Sequence, residues 1–187
     1  MEAERSLVNR MIRAARLDVD LYEEVEADTT ANRQALASVL IASLASGLGT
    51  GIAGLRVEGG IWLLWGLLIG MAASIGGWLV WSMLTYWLGT TVFRGPETSA
   101  TPGELMRTIG FSNSPRVLTF FYFIPIVGGL IAFGASIWAL VAGVIAVRQA
   151  LDFGTWRAIG TCVVGWLVYM IIFFLVSILV IGGGAMF

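Results

Sequence analysis

Six carboxylates fall within eleven residues of the chain: Asp18, Asp20, Glu23, Glu24, Glu26 and Asp28. Acidic groups so closely spaced can form a solvated surface, pair with arginines of other loops, or offer a docking face to a partner. The run lacks the ligand spacing of a calcium loop, so a divalent-metal site is the lesser reading. Just ahead of it, Arg5, Arg10, Arg13 and Arg16 supply guanidinium groups that suit lipid phosphates. Beyond these the inventory is thin, because the sequence has no His and no Lys and its one Cys is Cys162. Imidazole catalysis, a His-liganded metal or haem, Schiff-base chemistry and an internal disulfide are thereby excluded. A carboxylate pair drawn from the acidic run would lie on an open surface without a pocket. No enzyme activity, cofactor or metal is therefore expected.

The elements that position these groups are set by hydrophobicity. Apolar residues make up 58 % of the chain and charged ones 12 %, where soluble domains carry about 45–50 % and about 25 %. Such a chain needs lipid to cover it, and a net charge of −1 offers no basic excess for nucleic acid. After a polar segment over residues 1–33, apolar stretches run at about 35–55, 61–93, 116–147 and 159–181. One crossing takes about 20 helical residues. Folding 116–147 back at Gly128-Gly129, just after Pro125, keeps Arg94, Arg107 and Arg116 on the same side as Arg148 and Arg157, as the cytoplasmic bias of arginine requires. A hairpin at Gly76-Gly77 would send those arginines outside, so 61–93 is read as one long tilted helix. Five spans result, with the N-terminus inside, the C-terminus outside and Arg56 as the one external arginine. The third, Arg116 to Val127, covers only about 18 Å as an α-helix and is expected to be short or partly re-entrant. No signal peptide is expected ahead of these spans.

No span carries an ionisable group near its middle, which argues against a proton-coupled pump. Ser74, Ser82, Thr85, Tyr86, Thr119, Tyr122, Ser136 and Tyr169 are expected to bond to helix carbonyls, a hydroxyl-lined solute path being the alternative. Small residues mark the packing. Gly128, Ala132, Ala135, Ala139, Ala142 and Ala146 form one stripe, Gly66, Gly70, Ala73 and Gly77 a second, and Ala35, Ala42, Ala45 and Gly49 a third. In lipid such GxxxG-like stripes let backbones approach closely, within one chain or along a self-association seam. In the polar segment, Leu7, Val8, Met11, Ile12, Ala14 and Ala15 fill one side of a helix opposite Arg5, Asn9, Arg10, Arg13 and Arg16. This predicts a basic amphipathic helix, lying in the headgroup layer of anionic lipid or docked under the bundle.

Between the second and third spans, Thr101-Pro102-Gly103-Glu104 has the form of a capping box. It predicts a short helix from Glu104 to Ile109, with Gly110 as its terminator and Ser114-Pro115 as a restart. The string from Arg107 to Pro115, the acidic Leu17-Asp18-Val19-Asp20-Leu21-Tyr22-Glu23-Glu24-Val25, Ile124-Pro125-Ile126-Val127-Gly128, and Trp138 ahead of Ala146-Val147-Arg148-Gln149-Ala150 follow in a set order. In that order and spacing, over about residues 10–180, the chain resembles the prokaryotic branch of the Yip family. The resemblance implies a five-span membrane protein with a cytoplasmic N-terminus, in a family named for eukaryotic members that bind Rab-type GTPases in vesicle traffic. It brings no catalytic residues.

The expected molecule is an all-α polytopic membrane protein of the cytoplasmic membrane. It has a cytoplasmic amphipathic and acidic segment over 1–33, a five-helix bundle over 34–182 and an external tail over 183–187. The spans are placed at about 34–55, 61–93, 115–128, 130–147 and 159–181. Its expected role is non-enzymatic scaffolding or interaction through the cytoplasmic face, with the lipid bilayer, other membrane proteins or itself as partners. An accessory subunit of a larger bioenergetic or transport complex, and a lipid or small-solute transporter, are the alternatives.

Overall fold

The computed structural model of the protein describes residues 5–58 and 60–184. All regular structure among them is helical: α1 (Leu7–Ala15), α2 (Val19–Ala27), α3 (Asn32–Glu58), α4 (Gly60–Thr91), α5 (Pro102–Ser112), α6 (Val127–Ala150) and α7 (Thr155–Gly184). A 3-10 turn, Thr29–Ala31, precedes α3, and a ten-residue 3-10 helix, Ser114–Phe123, joins α5 to α6. Four stretches are long and apolar enough to cross a membrane: Thr29–Gly54, Leu67–Thr91, Val127–Ala150 and Thr155–Ile172. Leu64, Leu68, Ile69, Leu130, Phe133, Leu140 and Phe174 point outward from helices α4, α6 and α7, each more than half exposed. Lipid accepts an apolar shell of that kind and water does not. α4 runs unbroken through Gly76 and Gly77.

The region read as a third α-helical span is built differently. Residues Ser114–Phe123 form a 3-10 helix, which rises about 2.0 Å per residue and so reaches about 20 Å where an α-helix of ten residues would reach about 15 Å. Three residues per turn set Phe120 above Phe123, their rings meeting edge to face at 5.6 Å. This segment climbs alongside α3: Ser38 Oγ lies 3.3 Å from Ser114 Oγ near one end, and Gly49 lies against the Thr119 and Phe120 carbonyls further along. The chain then reverses at Pro125-Ile126, where Val127 N–H donates to the Pro125 carbonyl at 2.7 Å. Ile126, at φ 66° and ψ −57°, is the centre of a γ-turn in its strained, positive-φ form. The reversal therefore precedes the expected Gly128-Gly129 hinge. Gly128 is already inside α6, pressed against the Phe121 and Tyr122 carbonyls, while Gly129 faces open space.

The small-residue stripes divide. On α3, Ala35, Ala42, Ala45 and Gly49 are buried; on α6, Gly128, Ala135, Ala142 and Ala146 are buried and Ala132 and Ala139 half-buried. The α4 stripe does not face the bundle: Gly70 and Ala73 are exposed, Gly70 with nothing near it, and a Cβ on Gly77 would meet only the Tyr169 hydroxyl, at 3.7 Å. The face of α4 that packs is a different one, carrying the buried Ser82, Thr85 and Leu88. The surroundings of Gly66, and residues 185–187 of the expected tail, lie outside the described residues.

The most completely buried side chains lie where the N-terminal helices meet the ends of the bundle. Ala14, Leu21, Tyr22 and Val25 pack there with Ala35, Leu105, Ile109, Phe111, Val147 and Leu151. Asp18 caps α2 through Asp20 N–H, at 3.1 Å. The reciprocal capping box is formed, Glu104 N–H donating to Thr101 Oγ1 at 3.4 Å and Thr101 N–H to Glu104 Oε2 at 2.7 Å. Gly110 does not end α5, which continues to Ser112. Its missing side chain instead admits Ala35 of α3, whose Cβ would stand 2.7 Å from a Cβ at position 110.

Candidate interaction surface of the N-terminal layer

Helices α1, α2 and α5 form a layer against the bundle, held by arginines that point inward. Arg10 is 1 % exposed. Its Nε and Nη2 donate to Glu24 Oε1 at 3.0 and 2.8 Å, Nη2 also to Asp28 Oδ2 at 2.7 Å, and Nη1 to Gln34 Oε1 at 2.8 Å. Arg13 Nε donates to Asp18 Oδ2 at 2.7 Å and its Nη1 to Glu24 Oε2. Glu24 thus bridges both arginines. Of the two placements open to α1, Arg10 and Arg13 follow the docked one, because three carboxylates lie within reach of their guanidinium groups. Arg5 and Arg16 are exposed.

Arg107 makes the second inward fork. Buried on α5, it donates through Nε to the Val25 carbonyl at 2.8 Å, through Nη2 to the Glu26 carbonyl and through Nη1 to Asn32 Oδ1 at 3.3 Å. It thereby satisfies carbonyls at the C-terminus of α2 that have no intrahelical partner. Gln149 of α6 donates to Glu23 Oε1. The sequence reading missed both roles, although an arginine between Leu105-Met106 and Thr108-Ile109 signals a guanidinium carried into a core.

The acidic run is consequently split. Asp18, Glu24 and Asp28 face arginines, while Asp20 and Glu23 are exposed and Glu26 is half-buried. Burial, followed by the nearby charges of Asp152, Glu104 and Glu23, pushes the Glu26 carboxyl up to about 7, against a smaller opposing pull from Arg107. Asp28 is held down at about 2, first by the Thr30 hydroxyl and then by Arg10. The arginine hydrogen bonds keep Asp18 and Glu24 below the ordinary range against the opposing effect of burial.

These shifts act on stability in opposite directions. Glu26 holds its proton more tightly in the docked layer than in an unfolded chain, so its contribution is full below about pH 4.5 and is lost as pH rises through about 7. Asp18, Glu24 and Asp28 contribute above the ordinary carboxylate range and lose that contribution as pH falls through their lowered values. Amide exchange at Leu21, Tyr22 and Val25 should show greatest protection near pH 4.5 and a progressive loss from there up to about pH 7. Glu26→Gln should flatten that loss between about pH 4.5 and 7 and leave the acid limb unchanged; an unaltered fall over this range would refute the assignment.

Elsewhere the polar groups serve the helices. Thr85, Thr119 and Ser136 donate to the carbonyls of Trp81, Arg116 and Ala132 in their own helical segments. Ser82 Oγ is buried without a partner. An open cleft of about 600 Å³ lies between α3 and the Pro125 turn, lined by Ile52, Ala53, Tyr122, Phe123, Ile124, Pro125, Ile126 and Gly129. It shares no residue with the acidic layer. Among the described residues no group of three or more Asp, Glu or Cys is placed to hold a metal ion.

A family model described as Yip1 domain matches residues 20–178. No curated protein and no solved structure gives a significant match.

Proposed function

On the premise that the chain belongs to the Yip1-domain family, we propose that it is a non-enzymatic membrane scaffold that binds a partner through its N-terminal layer. The observation carrying this reading is the division of the acidic run. Arginines take up Asp18, Glu24 and Asp28, and this leaves Asp20, Glu23 and Glu26 outside the arginine pairs, with Glu26 near Glu23, Glu104 and Asp152, as an acidic face on a folded support. A basic, cytoplasmic segment of another protein is the complementary partner.

In this proposal the chain sits in the cytoplasmic membrane of a prokaryote, with five crossings, the N-terminus inside and the C-terminus outside. The 3-10 helix Ser114–Phe123 is the third crossing. Its support is the pairing of Ser38 with Ser114 and Gly143 with Ser112 at one end, and of Gly49 and Gly128 with carbonyls of residues 119–122 at the other.

Extraction in mild detergent followed by native mass measurement tests the function. A scaffold of this kind releases its partner as salt rises, since the contact is between charges. A salt-resistant assembly held through the spans would make it an accessory subunit instead, and solute or lipid flux in liposomes would make it a transporter.

A further inference from the structure

The end of the bundle that carries the N-terminal layer also carries a ring of arginines. Arg33 is in the first turn of α3, Arg94 just past the end of α4, Arg116 in the first turn of the 3-10 helix, Arg148 in the last turn of α6 and Arg157 in the first turn of α7. Beside Arg157, Trp156 is 85 % exposed. Guanidinium groups and an indole at the ends of crossing elements mark the level of the lipid headgroups. α1 packs against the 3-10 helix and α5, and so lies at that level.

The inward side of α1 is fully used. Leu7 and Met11 pack on the core, Ala14 is buried, and Arg10 and Arg13 are held by carboxylates. The outward side carries Val8 and Ile12, with Arg16 at the C-cap continuing their spacing of four and Arg5 just ahead of the N-cap Ser6; all four are exposed, Val8 at 66 % and Ile12 at 47 %. Two apolar residues bracketed by guanidinium groups match a boundary between acyl chains and anionic headgroups, where long basic side chains reach back to phosphate. The 3-10 helix that α1 packs against also carries exposed apolar residues, Leu118 and Phe121.

We propose that α1 is seated on an anionic leaflet, Val8 and Ile12 entering the headgroup layer and Arg5 and Arg16 pairing with lipid phosphates. This rests on the reading of the chain as bilayer-embedded. It narrows the expectation based on the helix alone: Val8, Ile12, Arg5 and Arg16 meet lipid, and Arg10 and Arg13 do not.

The test uses the full-length Cys162→Ala protein in nanodiscs containing phosphatidylglycerol, with one environment-sensitive fluorophore on a cysteine at position 8, 12, 30 or 140. Position 30 is the exposed Thr30 and position 140 the outward Leu140 in the middle of α6. Probes at 8 and 12 should be quenched by shallow nitroxide lipids and protected several-fold from aqueous iodide relative to position 30. Position 140 should respond to deep nitroxides. Arg5→Gln with Arg16→Gln should reduce the protection at 8 and 12 several-fold; so should replacing phosphatidylglycerol by phosphatidylcholine. Iodide quenching at 8 and 12 equal to that at 30, with 140 still lipid-quenched, would overturn the seating and leave the bundle assignment intact. Iodide quenching at 140 would overturn both. Disulfide cross-linking of two copies through position 8 would assign the stripe to self-association and overturn the proposal.

Discussion

Gly128→Ala should lower the melting midpoint of the detergent-solubilised protein by roughly 6–12 °C, whereas Gly129→Ala should leave it nearly unchanged. A Cβ at position 128 would stand 2.4 Å from the Tyr122 carbonyl oxygen and 2.5 Å from that of Phe121, while one at 129 meets nothing within 4 Å. The obstruction at 128 is backbone, which cannot rotate aside as a side chain can, so about 3 kcal/mol at the upper end of ordinary overpacking is expected. Gly49→Ala should behave likewise, because its Cβ would stand 2.5 Å from both the Thr119 and Phe120 oxygens. The two glycines hold the 3-10 helix between α3 and α6. Equal midpoints for the 128 and 129 variants would mean that α6 does not press on this segment.

Arg10→Met should open the N-terminal layer while leaving the bundle folded. The change removes the cation from Asp28 and one of the two from Glu24, and leaves Gln34 Oε1 without its donor. Breaking a buried pair from one side costs about 3–5 kcal/mol. The lower figure applies because Glu24 and Asp28 keep 27 % and 19 % of their side-chain surface. A loss near 3 kcal/mol raises the open population roughly a hundredfold, readable as faster amide exchange across α1 and α2 with α6 unaffected. Adding Asp28→Asn should restore part of the protection, since Asp28 loses its arginine with Arg10 whereas Glu24 keeps Arg13. Without that recovery, the effect would belong to packing by the arginine stem and not to its charge.

The parts of the fold legible in the sequence are those fixed by local chemistry or by one strong pattern. Thr101 and Glu104 specify their capping box with four residues, and the α6 stripe from Gly128 to Ala146 follows from steps of three and four. The continuity of α4 follows from where Arg94 and Arg107 would otherwise fall. The 3-10 form of residues 114–123 was not legible, because their apolar pattern fits three residues per turn as well as 3.6. Gly110 illustrates the same limit, since a glycine that ends a helix and one that admits a neighbouring backbone look alike until Ala35 is in place. The acidic run was visible as a cluster, but its division was not. Arg10 meets Glu24 and Asp28 across 14 and 18 residues of chain, and the amphipathic pattern of α1 is satisfied equally with either flank inward. The α4 stripe does not pack within the chain for a related reason: Gly70 and Ala73 permit close approach without requiring it, and another face of α4 packs on the bundle.

Photo-cross-linking in native membranes tests the central claim most directly. A cross-linker at Ala27 or Gly154, exposed positions that leave every carboxylate intact, should give one discrete adduct that weakens with salt and disappears when Arg10→Met opens the layer. A cross-linker at Leu140 should give lipid adducts only. A discrete protein adduct from Leu140, with none from Ala27 or Gly154, would place the working contact in the spans and contradict the account.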